Sequence, residues 1–400
     1  MALTTVSSDR LSTNVKNTNF TAAEKQDLTD DILPLAKQFG QSKNLVVNGS
    51  CLVAQRGVSQ TGVAANGYAT VDRFRADQSG TDAYIEQHQV DVASGTTPYA
   101  AGLRKAFQVK NGNQTSGAGT SDRVIILYRM ESQDFANSGW DYTSSSSYIT
   151  FSYYVKSSVA QNFFVTLKTA DGTPQKYATE TGTLTANQWT KVTKTIPGNS
   201  NLQFDNDSNE GMELEWSIFR GTATTGSMSL NAWAANNNSV RTPDQTSTWY
   251  TTDDATFEIT GVQIEVSNVA TDFEHRSFAQ ELALCQRYFY MHASGAESAS
   301  TGNQAPIGLG YGYTSTDCYV VVKFPVTMRH YPTMFKVVGT DYFRFAYNNN
   351  NAYPDSVGNN RSGINSAEIY FDTGASWDQN AGGMVRINDN AARLGFTAEL

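Results

Sequence analysis

The chain has 400 residues and a net charge of −9, and only 17% of its residues are charged. This charge argues against a nucleic-acid-binding surface, which needs clustered Lys and Arg to meet phosphates. Few charges with abundant Ser, Thr, Asn and Gln favour an extracellular-facing, mostly β protein of two or three domains. No nucleic acid and no cofactor are expected as partners.

Residues 1–43 form a polar segment that cannot build a core of its own. Thr21 and Glu24 form a capping box before a short helical stretch, and Pro34 interrupts the helical pattern. Two interpretations remain open for this partly helical segment, a disordered leader or an anchor that orders against another protein.

The same segment lacks the uninterrupted apolar core of a signal peptide. No apolar run in the chain approaches the ~20 residues that a membrane-spanning helix needs. The sequence therefore predicts a soluble protein that is not exported by the general route and is not inserted into a membrane.

From Asn44 to Tyr290 the pattern changes to short strands separated by turn signals, which is typical of an all-β sandwich. An opening strand is predicted within 44–57, and a closing strand at 257–266. Further strands are predicted at 148–155, 161–169 and 212–219.

The strand at 212–219 has one apolar face and one polar face. Met212, Leu214, Trp216 and Ile218 alternate with the other set and are predicted to face the core. Glu213 and Glu215 share the second face at ~6.6 Å between Cα atoms, near the carboxylate separation of an inverting glycosidase. A solvated strand face is the favoured interpretation, so no catalytic residue is assigned and no enzymatic activity is expected.

Residues 205–211 collect oxygen ligands as a calcium loop does. The glycine, however, is at the seventh position of this stretch, and Trp216 stands at the twelfth, where an EF-hand needs Glu. An acidic turn is predicted, and no metal site.

A short amphipathic helix is predicted after the closing strand. Ser277 and Gln280 form a capping box at its start. Phe278, Leu282, Cys285 and Phe289 share one helical face, which we expect to cover a sheet.

Residues 291–400 are predicted to form a smaller distal β-domain. An Ala/Ser/Gly-rich stretch at 293–303 is interpreted as a linker or long loop. Short apolar or aromatic segments predict strands at 318–324, 333–338, 341–347, 367–371 and 393–399. The stretches 348–351 and 355–362 are predicted to be exposed loops, where binding residues tend to lie.

The histidines and cysteines give no sign of a reactive site. The four histidines are scattered without metal-ligand spacing; they are His88, His275, His292 and His330. Cys51, Cys285 and Cys318 form neither a metal cluster nor an even disulfide set, which predicts buried, reduced thiols.

Aromatic residues in polar, turn-rich contexts are the candidate ligand-binding residues, because a pyranose stacks its C–H face on an aromatic ring. Any single ring is more often buried in a core or an interface, so we expect a set rather than one residue. The candidate glycan-binding residues are Trp233, Trp249, Tyr250, Tyr311, Tyr313, Tyr347, Tyr353 and Trp377.

The block 257–290, FEITGVQIEVSNVATDFEHRSFAQELALCQRYFY, resembles the strand-to-helix junction of phage and prophage virion proteins. The resemblance rests on Gly261, Val262, Gln263, Glu265, Val269, Ala270, Phe273, Glu274, His275, Arg276, Glu281, Leu282, Cys285, Gln286, Arg287 and Tyr288. Segment 44–57 also resembles the opening strand of that family and of carbohydrate-binding-module jelly rolls. The stretch FPVTMRHYPTMF (324–335) resembles the segment after the helix in phage appendage proteins.

The resemblance implies a tail-fibre or related appendage subunit located in the virion. It would consist of a virion-attachment segment (1–43) that docks on other phage head or tail proteins, a jelly-roll sandwich (44–290) and a distal β-domain (291–400). It implies a homotrimer that binds host surface polysaccharide without cleaving it. A purely structural head or tail decoration is the alternative. A depolymerase is a distant third, because the sequence lacks the short repeats of a β-helix.

Overall fold

The computed structural model describes residues 43–295, 305–372 and 374–400. The chain divides into two units, Met1–Asn44 and Leu45–Leu400. The predicted helical stretch and capping box of the N-terminal segment lie outside the described residues, as does most of the linker predicted at 293–303. No helix in the described ranges combines the length and apolar character needed to cross a bilayer.

Two six-stranded antiparallel sheets form the first part of the second unit. The first sheet contains, in spatial order, β1 (Ser59–Gln60), β3 (Glu86–Asp91), β4 (Lys105–Lys110), β12 (Thr256–Glu265), β6 (Tyr148–Ser157) and β9 (Thr190–Pro197). The second sheet contains β11 (Trp233–Ala235), β8 (Gln175–Thr183), β7 (Asn162–Thr169), β10 (Glu210–Arg220), β5 (Arg123–Glu131) and β2 (Phe74–Ser79).

The inner faces of these two sheets share one hydrophobic core. The predicted core face of β10 is confirmed, because Met212, Leu214, Trp216 and Ile218 are all fully buried. The Trp216 ring contacts Tyr153 edge-on at 5.7 Å, which joins the two sheets through an aromatic pair. The all-β class and the jelly-roll sandwich predicted from the sequence are confirmed.

Strand β12 contains a β-bulge, after which the side chains that point to the core are those of even-numbered instead of odd-numbered residues. Its register with β6 shifts between Thr260 and Gln263, and Gly261 within the bulge has φ +62°. Phe257 and Ile259 before the bulge, and Val262 and Ile264 after it, all reach the core. The bulge therefore interrupts the two-residue alternation of the strand, because the extra residue returns the apolar side chains to the inner face.

The opening strand predicted within 44–57 is wrong. Asn48 and Cys51 adopt left-handed backbone conformations, with φ of 61° and 56°. The Asn48 side-chain amide donates to the carbonyls of Val53 and Asp72 at 2.8 and 2.9 Å. This side chain stabilises a turn where the resemblance to jelly-roll opening strands predicted a strand.

Helices are short in the described residues. A 3₁₀ turn at Gly62–Ala65, α1 (Thr97–Ala100) and α2 (Ser132–Ala136) lie within the sandwich, and α3 (Phe278–Gln286) comes after it. The capping box of α3 is confirmed, with Gln280 N donating to Ser277 Oγ and Ser277 N donating to Gln280 Oε1. The predicted apolar face is wrong in two respects, because Phe278 is 55% exposed whereas Glu281 is buried, and because Phe289 lies beyond the helix in the strand that follows it. Glu281 accepts the backbone N–H of Asn48 at 2.5 Å, which compensates its burial.

The rest of the second unit has a separate hydrophobic core and two further antiparallel sheets. The three-stranded sheet contains β13 (Phe289–Ser294), β22 (Arg393–Thr397) and β16 (Thr333–Val337). The seven-stranded sheet contains, in spatial order, β18 (Asn350–Ala352), β17 (Phe343–Tyr347), β21 (Gly382–Ile387), β14 (Pro306–Gly312), β15 (Cys318–Lys323), β20 (Ser366–Asp372) and β19 (Ser356–Ser362).

The five strands predicted after residue 317 correspond to β15, β16, β17, β20 and β22. The loop predicted at 348–351 is confirmed for Asn348 and Asn349, which form an exposed turn, whereas the rest of that stretch and most of 355–362 belong to the edge strands β18 and β19. Both strands are rich in Asn or Gly, which local propensity assigns to turns. Pairing with β17 and β20 outweighs that preference. The domain boundaries proposed from the sequence stay a prediction.

Candidate functional site

The outer face of the seven-stranded sheet carries exposed aromatic and apolar side chains. Two of the predicted ligand residues, Tyr311 and Tyr313, lie on this face. In β15, Cys318, Val320 and Val322 are buried on the inner face. Tyr319 and Val321 alternate with them and point outward, as the two-residue period of a strand requires. Val321 is 62% exposed, and Leu309 on β14 is 77% exposed.

Tyrosines from three neighbouring strands line up across this outer face. Tyr311 of β14 is opposite Tyr319 of β15, and Tyr319 is opposite Tyr370 of β20. The Tyr319 and Tyr370 ring centroids are 6.1 Å apart, and Tyr313 meets Tyr319 edge-on at 5.4 Å. We call these four residues, Tyr311, Tyr313, Tyr319 and Tyr370, the tyrosine patch.

Glycines lie opposite the first and the last tyrosine of the aligned set, on the two flanking strands. Gly358 of β19 is opposite Tyr370, and a Cβ there would lie 2.3 Å from the Tyr370 Cζ. The Tyr370 ring therefore covers the edge strand, an arrangement that compensates for a missing side chain. Gly382 of β21 is opposite Tyr311, and a Cβ at that position would meet nothing within 4 Å. The surface beside Tyr311 is thus open.

Polar groups surround the tyrosine patch. Tyr311 Oη donates to Asn380 Oδ1 at 2.7 Å, and Gln379 Nε2 donates to the Tyr313 carbonyl at 3.3 Å. The pKa of Tyr319 is raised, first by desolvation and then by the negative charges of Asp317 and Glu368. Its hydroxyl therefore keeps its proton at neutral pH and can donate a hydrogen bond to a ligand.

Trp377 has a supporting position beneath this surface. Its Nε1 donates to the Thr314 carbonyl at 3.0 Å, and its ring contacts Phe345 edge-on at 5.6 Å. Thr314 is the residue directly after Tyr313, so the buried indole holds the turn that presents the Tyr313 ring. The expectation that Trp377 is itself exposed is wrong, because its ring fills the second core.

Three other candidate residues are also buried or half-buried and not exposed. Trp249 and Tyr250 are buried, where Trp249 Nε1 donates to the Thr256 carbonyl and Tyr250 Oη donates to Asp122. Trp233 is half-buried and donates to the Pro197 carbonyl at 2.7 Å. These three rings pack in or against the sandwich core, and the polar atom of each one has a hydrogen-bond partner there.

Two further candidates lie in the same sheet as the tyrosine patch but apart from it. Tyr347 is half-buried and stacks on Phe345 at 5.1 Å, against the inner core. Tyr353 comes directly after the edge strand β18 and is partly exposed. Of the eight predicted residues, the structure brings Tyr311 and Tyr313 together, at 48% and 61% exposure.

Sequence reasoning missed Tyr319 and Tyr370. Their strands were predicted, and in each strand the apolar residues that become buried occupy alternate positions. Assigning that apolar set to the core leaves Tyr319 and Tyr370 on the opposite face. The signal was therefore present, although only the strand order shows that the two rings are neighbours.

The pair Glu213 and Glu215 is not a solvated strand face, which corrects the favoured interpretation. Both side chains are buried, and Glu213 is paired with Arg129 and Lys168 at 2.9 and 2.8 Å. Burial alone would raise the pKa of Glu215, but its ion pair with Arg220 lowers that pKa to about 2. A carboxylate held ionised in this way is a structural ion-pair member rather than a general acid.

The other groups considered for chemistry have local partners. In the acidic turn, Asp207 accepts from Asn209, and Asp171 accepts from the backbone of Asp205. Within the described ranges, no group of three or more His, Cys, Asp or Glu side chains could hold a metal ion. The predicted buried, free thiols are confirmed, and burial raises the pKa of Cys51 to about 12.

Comparisons with known proteins add little to this geometry. No protein-family model matches the chain, and no curated protein matches it. Solved structures with local likeness include a tailspike protein domain of bacteriophage CBA120 (8% identity, TM-score 0.30). That alignment covers 56% of this chain and 21% of the tailspike chain, so this chain spans about a fifth of the tailspike's length.

Two carbohydrate-binding modules show similar likeness. A cellulose-binding domain from Cellulomonas fimi is 11% identical with a TM-score of 0.26, and 55% of this chain aligns with all of it. A xylan-binding domain from Paenibacillus barcinonensis is 11% identical with a TM-score of 0.25, and 57% of this chain aligns with all of it. TM-scores this low do not establish a common fold, so the architecture described above rests on the sheets of this chain alone.

Proposed function

We propose that this chain is a non-catalytic carbohydrate-binding protein whose tyrosine patch holds host-cell surface polysaccharide. The observation that carries the proposal is the alignment of Tyr311, Tyr319 and Tyr370 across three adjacent strands, with Tyr313 against Tyr319. A rigid sheet holds these rings at fixed spacing, so little entropy is lost when a ligand binds.

The chemistry of the tyrosine patch suits sugars. A pyranose ring has an apolar C–H face that packs on an aromatic ring, and hydroxyls that need donors and acceptors. The exposed Tyr311 and Tyr313 rings supply the apolar contact, while Asn380, Asp317 and the tyrosine hydroxyls supply polar partners. Each stacking contact contributes about 0.5–1.5 kcal/mol, which predicts a weak single site.

A non-catalytic role is supported by the way the acids near this surface are held. Glu368 pairs with Arg361 at 3.9 Å and accepts from Asn360, and Asp317 accepts from Thr314 at 2.8 Å. These carboxylates are partnered on an open strand face, whereas glycoside hydrolysis needs two acids on opposite sides of an enclosed bond. We therefore assign binding without cleavage.

The proposed setting is the phage virion, where the chain acts as a tail-fibre or related appendage subunit. The support is the sequence resemblance of block 257–290 to virion proteins. In this proposal the chain is a homotrimer, and segment 1–43 docks on other phage head or tail proteins. Three weak sites held in fixed geometry combine through a high effective concentration, so adhesion is much stronger than one site allows.

A second candidate function is a purely structural head or tail decoration or connector. The observation that favours it is the exposure of Leu309 and Val321 next to the tyrosine patch. Contiguous exposed apolar side chains are typical of protein interaction surfaces. In this alternative the outer face of the sheet packs against another virion protein and binds no sugar.

The deciding experiment measures binding of the purified full-length protein to intact host cells, with competition by extracted surface polysaccharide and a parallel assay for its cleavage. We expect saturable, competable binding without cleavage, and a loss of at least tenfold in the variant Tyr311→Ala/Tyr319→Ala. Tyr331→Ala is the matched control, because Tyr331 is exposed but lies outside the tyrosine patch.

Equal binding by the double variant and the control would overturn the assignment of the tyrosine patch. No binding by the well-folded wild-type protein, together with reduced incorporation of Leu309→Asp into particles, would favour the structural alternative. Release of oligosaccharides would contradict the non-catalytic role.

A further inference from the structure

Apolar side chains lie directly beside the tyrosine patch on the outer face of the seven-stranded sheet. Leu309 lies two residues before Tyr311 on β14, and Val321 lies two residues after Tyr319 on β15. Tyr311 and Tyr319 are opposite each other on antiparallel strands. Leu309 and Val321 are therefore on the same side of the two tyrosines and next to each other.

Two further strands extend this line of apolar residues. Met384 of β21 is opposite Leu309, and Ala346 of β17 is opposite Met384. Leu309 and Val321 are 77% and 62% exposed, whereas Met384 and Ala346 are half-buried. We call Val321, Leu309, Met384 and Ala346 the apolar row. It crosses four adjacent strands and runs parallel to the line of tyrosines.

Charged side chains bound these two lines of residues. The outward residues along β15, beginning just before the strand, are in order Asp317, Tyr319, Val321 and Lys323. At one end of the apolar row, Glu368 is opposite Val321 and forms an ion pair with Arg361. The middle of the face is therefore an uncharged strip. A charged ligand group would lose water there without gaining a partner, so the strip favours an uncharged ligand.

The uncharged strip is long and narrow. It consists of two lines of residues roughly 7 Å apart on strands about 4.8 Å apart, which gives an area on the order of 300 Å². A stable protein interface buries about 800 Å² on each partner, so the strip is small for a protein partner. The distance between neighbouring strands is similar to the length of one pyranose unit. The shape therefore favours a linear polysaccharide that lies across the strands.

The apolar row favours a sugar that carries methyl groups. Hydroxyls placed against Leu309 and Val321 would lose water and find no hydrogen-bond partner on those side chains. A methyl group there buries apolar area instead, which strengthens binding by about fourfold for each group. The methyl of an acetamido substituent projects farther from the pyranose ring than the methyl of a 6-deoxy sugar. It can therefore reach the apolar row while the ring itself stacks on a tyrosine.

We propose that the tyrosine patch and the apolar row together bind an uncharged, linear polysaccharide whose sugars carry N-acetyl groups. This inference rests on the proposed sugar-binding function of the tyrosine patch and names the ligand class of that site. Pyranose rings stack on Tyr311 and Tyr319, and the acetamido methyl groups pack on Leu309 and Val321. The tyrosines contribute affinity for any such chain, and the two apolar side chains determine specificity.

Calorimetric titration of the full-length protein with cellotetraose and N-acetylchitotetraose at millimolar concentration tests this inference. The two tetrasaccharides share one backbone and differ only in the substituent at C2. We expect N-acetylchitotetraose to bind the wild type at least tenfold more tightly. In Leu309→Asn/Val321→Thr this preference should fall below threefold while cellotetraose binding stays unchanged. Leu284→Asn/Val337→Thr is the matched control, because both side chains are exposed but lie on α3 and β16.

The possible outcomes separate this inference from the proposed function. Equal binding of the two tetrasaccharides, lost for both in Tyr311→Ala/Tyr319→Ala, would overturn the N-acetyl specificity and leave the sugar-binding function intact. An unchanged preference in Leu309→Asn/Val321→Thr would overturn the role of the apolar row. Tighter binding of tetragalacturonate than of both would overturn an uncharged ligand. Absence of binding to all three would overturn the inference, and the host-cell assay then decides whether the sugar-binding function fails with it.

Discussion

Among single residues, buried charges connect the two cores of the second unit. Arg73 forms an ion pair with Glu399, and its guanidinium lies 3.5 Å from the centroid of the Tyr288 ring. Arg56 reaches Glu399 at 3.3 Å. One carboxylate next to the final strand thus pairs with two arginines of the sandwich, Arg56 also lies 3.7 Å from Asp72, and these side chains are almost fully buried.

Glu399→Ala should destabilise the protein by about 3–5 kcal/mol, because it leaves the buried Arg73 without its carboxylate and Arg56 with Asp72 alone. The measurement is the free energy of unfolding in urea at pH 7. Asp91→Ala is the control, because its ion pair with Lys105 is exposed and should contribute little. A change in Glu399→Ala no larger than that in the control would refute this account of the junction.

A half-buried carboxyl group in α2 predicts a pH dependence of stability. The pKa of Asp134 is raised to about 6, first by burial and then by the charge of Glu131. Because this folded-state pKa exceeds the unfolded value near 3.9, the folded protein binds more protons between about pH 4 and 6. The contribution of Asp134 is therefore most favourable below pH 4 and is lost as the pH rises through 6.

Asp134→Asn should accordingly be more stable than the wild type at pH 7, by about 1–3 kcal/mol, with little difference at pH 4. Urea unfolding at both pH values measures the two differences. Asp91→Asn, at an exposed carboxylate, should show no such gap. A stability difference that is the same at pH 4 and pH 7 would show that Asp134 does not titrate in this way.

Among the secondary-structure elements, β12 contains a bulge that determines which of its side chains reach the core. Without the extra residue, Val262 and Ile264 would face outward while Gln263 and Glu265 faced the core. The left-handed backbone at Gly261 and its close contacts with Leu103 and Tyr154 both exclude a larger residue. The sequence contains this glycine, but nothing local distinguishes it from an ordinary strand glycine.

Gly261→Ala should cost about 1–3 kcal/mol more than Gly182→Ala in urea unfolding, because only position 261 adds a steric clash to the unfavourable φ. Gly182 is the matched control, since it has φ +71° and a Cβ there would meet nothing within 4 Å. Equal losses in the two variants would mean that the backbone conformation alone, and not packing around the bulge, limits the residue at 261.

For the molecule as a whole, the proposed attachment function places different demands on different parts of the chain. The tyrosine patch belongs to the unit Leu45–Leu400. In the proposal, the tyrosine patches of the three subunits increase the effective concentration of a polysaccharide that reaches more than one of them. In the proposal, segment 1–43 makes no contribution to sugar binding and serves only to dock the subunit on the virion.

Deleting residues 1–43 should therefore abolish incorporation into phage particles and leave polysaccharide binding and the oligomeric state unchanged. Immunoblots of purified particles measure incorporation, and light scattering after gel filtration measures the mass of the oligomer, which we expect to be three times that of one chain. Particles that still carry the truncated protein would contradict the anchor, and a monomeric mass for the full-length chain would contradict the homotrimer.

Local sequence patterns were sufficient to predict the all-β class, the core face of β10, the capping box of α3 and the burial of the cysteines. These features depend on periods of two or four residues or on side-chain chemistry within one turn, so they can be read without knowing the fold. The same kind of pattern predicted Tyr311 and Tyr313 as candidate ligand residues, because both lie in a glycine- and threonine-rich stretch.

Which rings belong together depends instead on long-range contacts. Tyr319 and Tyr370 are 51 positions apart, and they become neighbours because β15 and β20 pair. The same pairing energy converts the Asn- and Gly-rich stretches of β18 and β19 into strands, and long-range packing buries Trp249, Tyr250 and Trp377. Strand order and burial arise from contacts between distant parts of the chain, which no local pattern encodes.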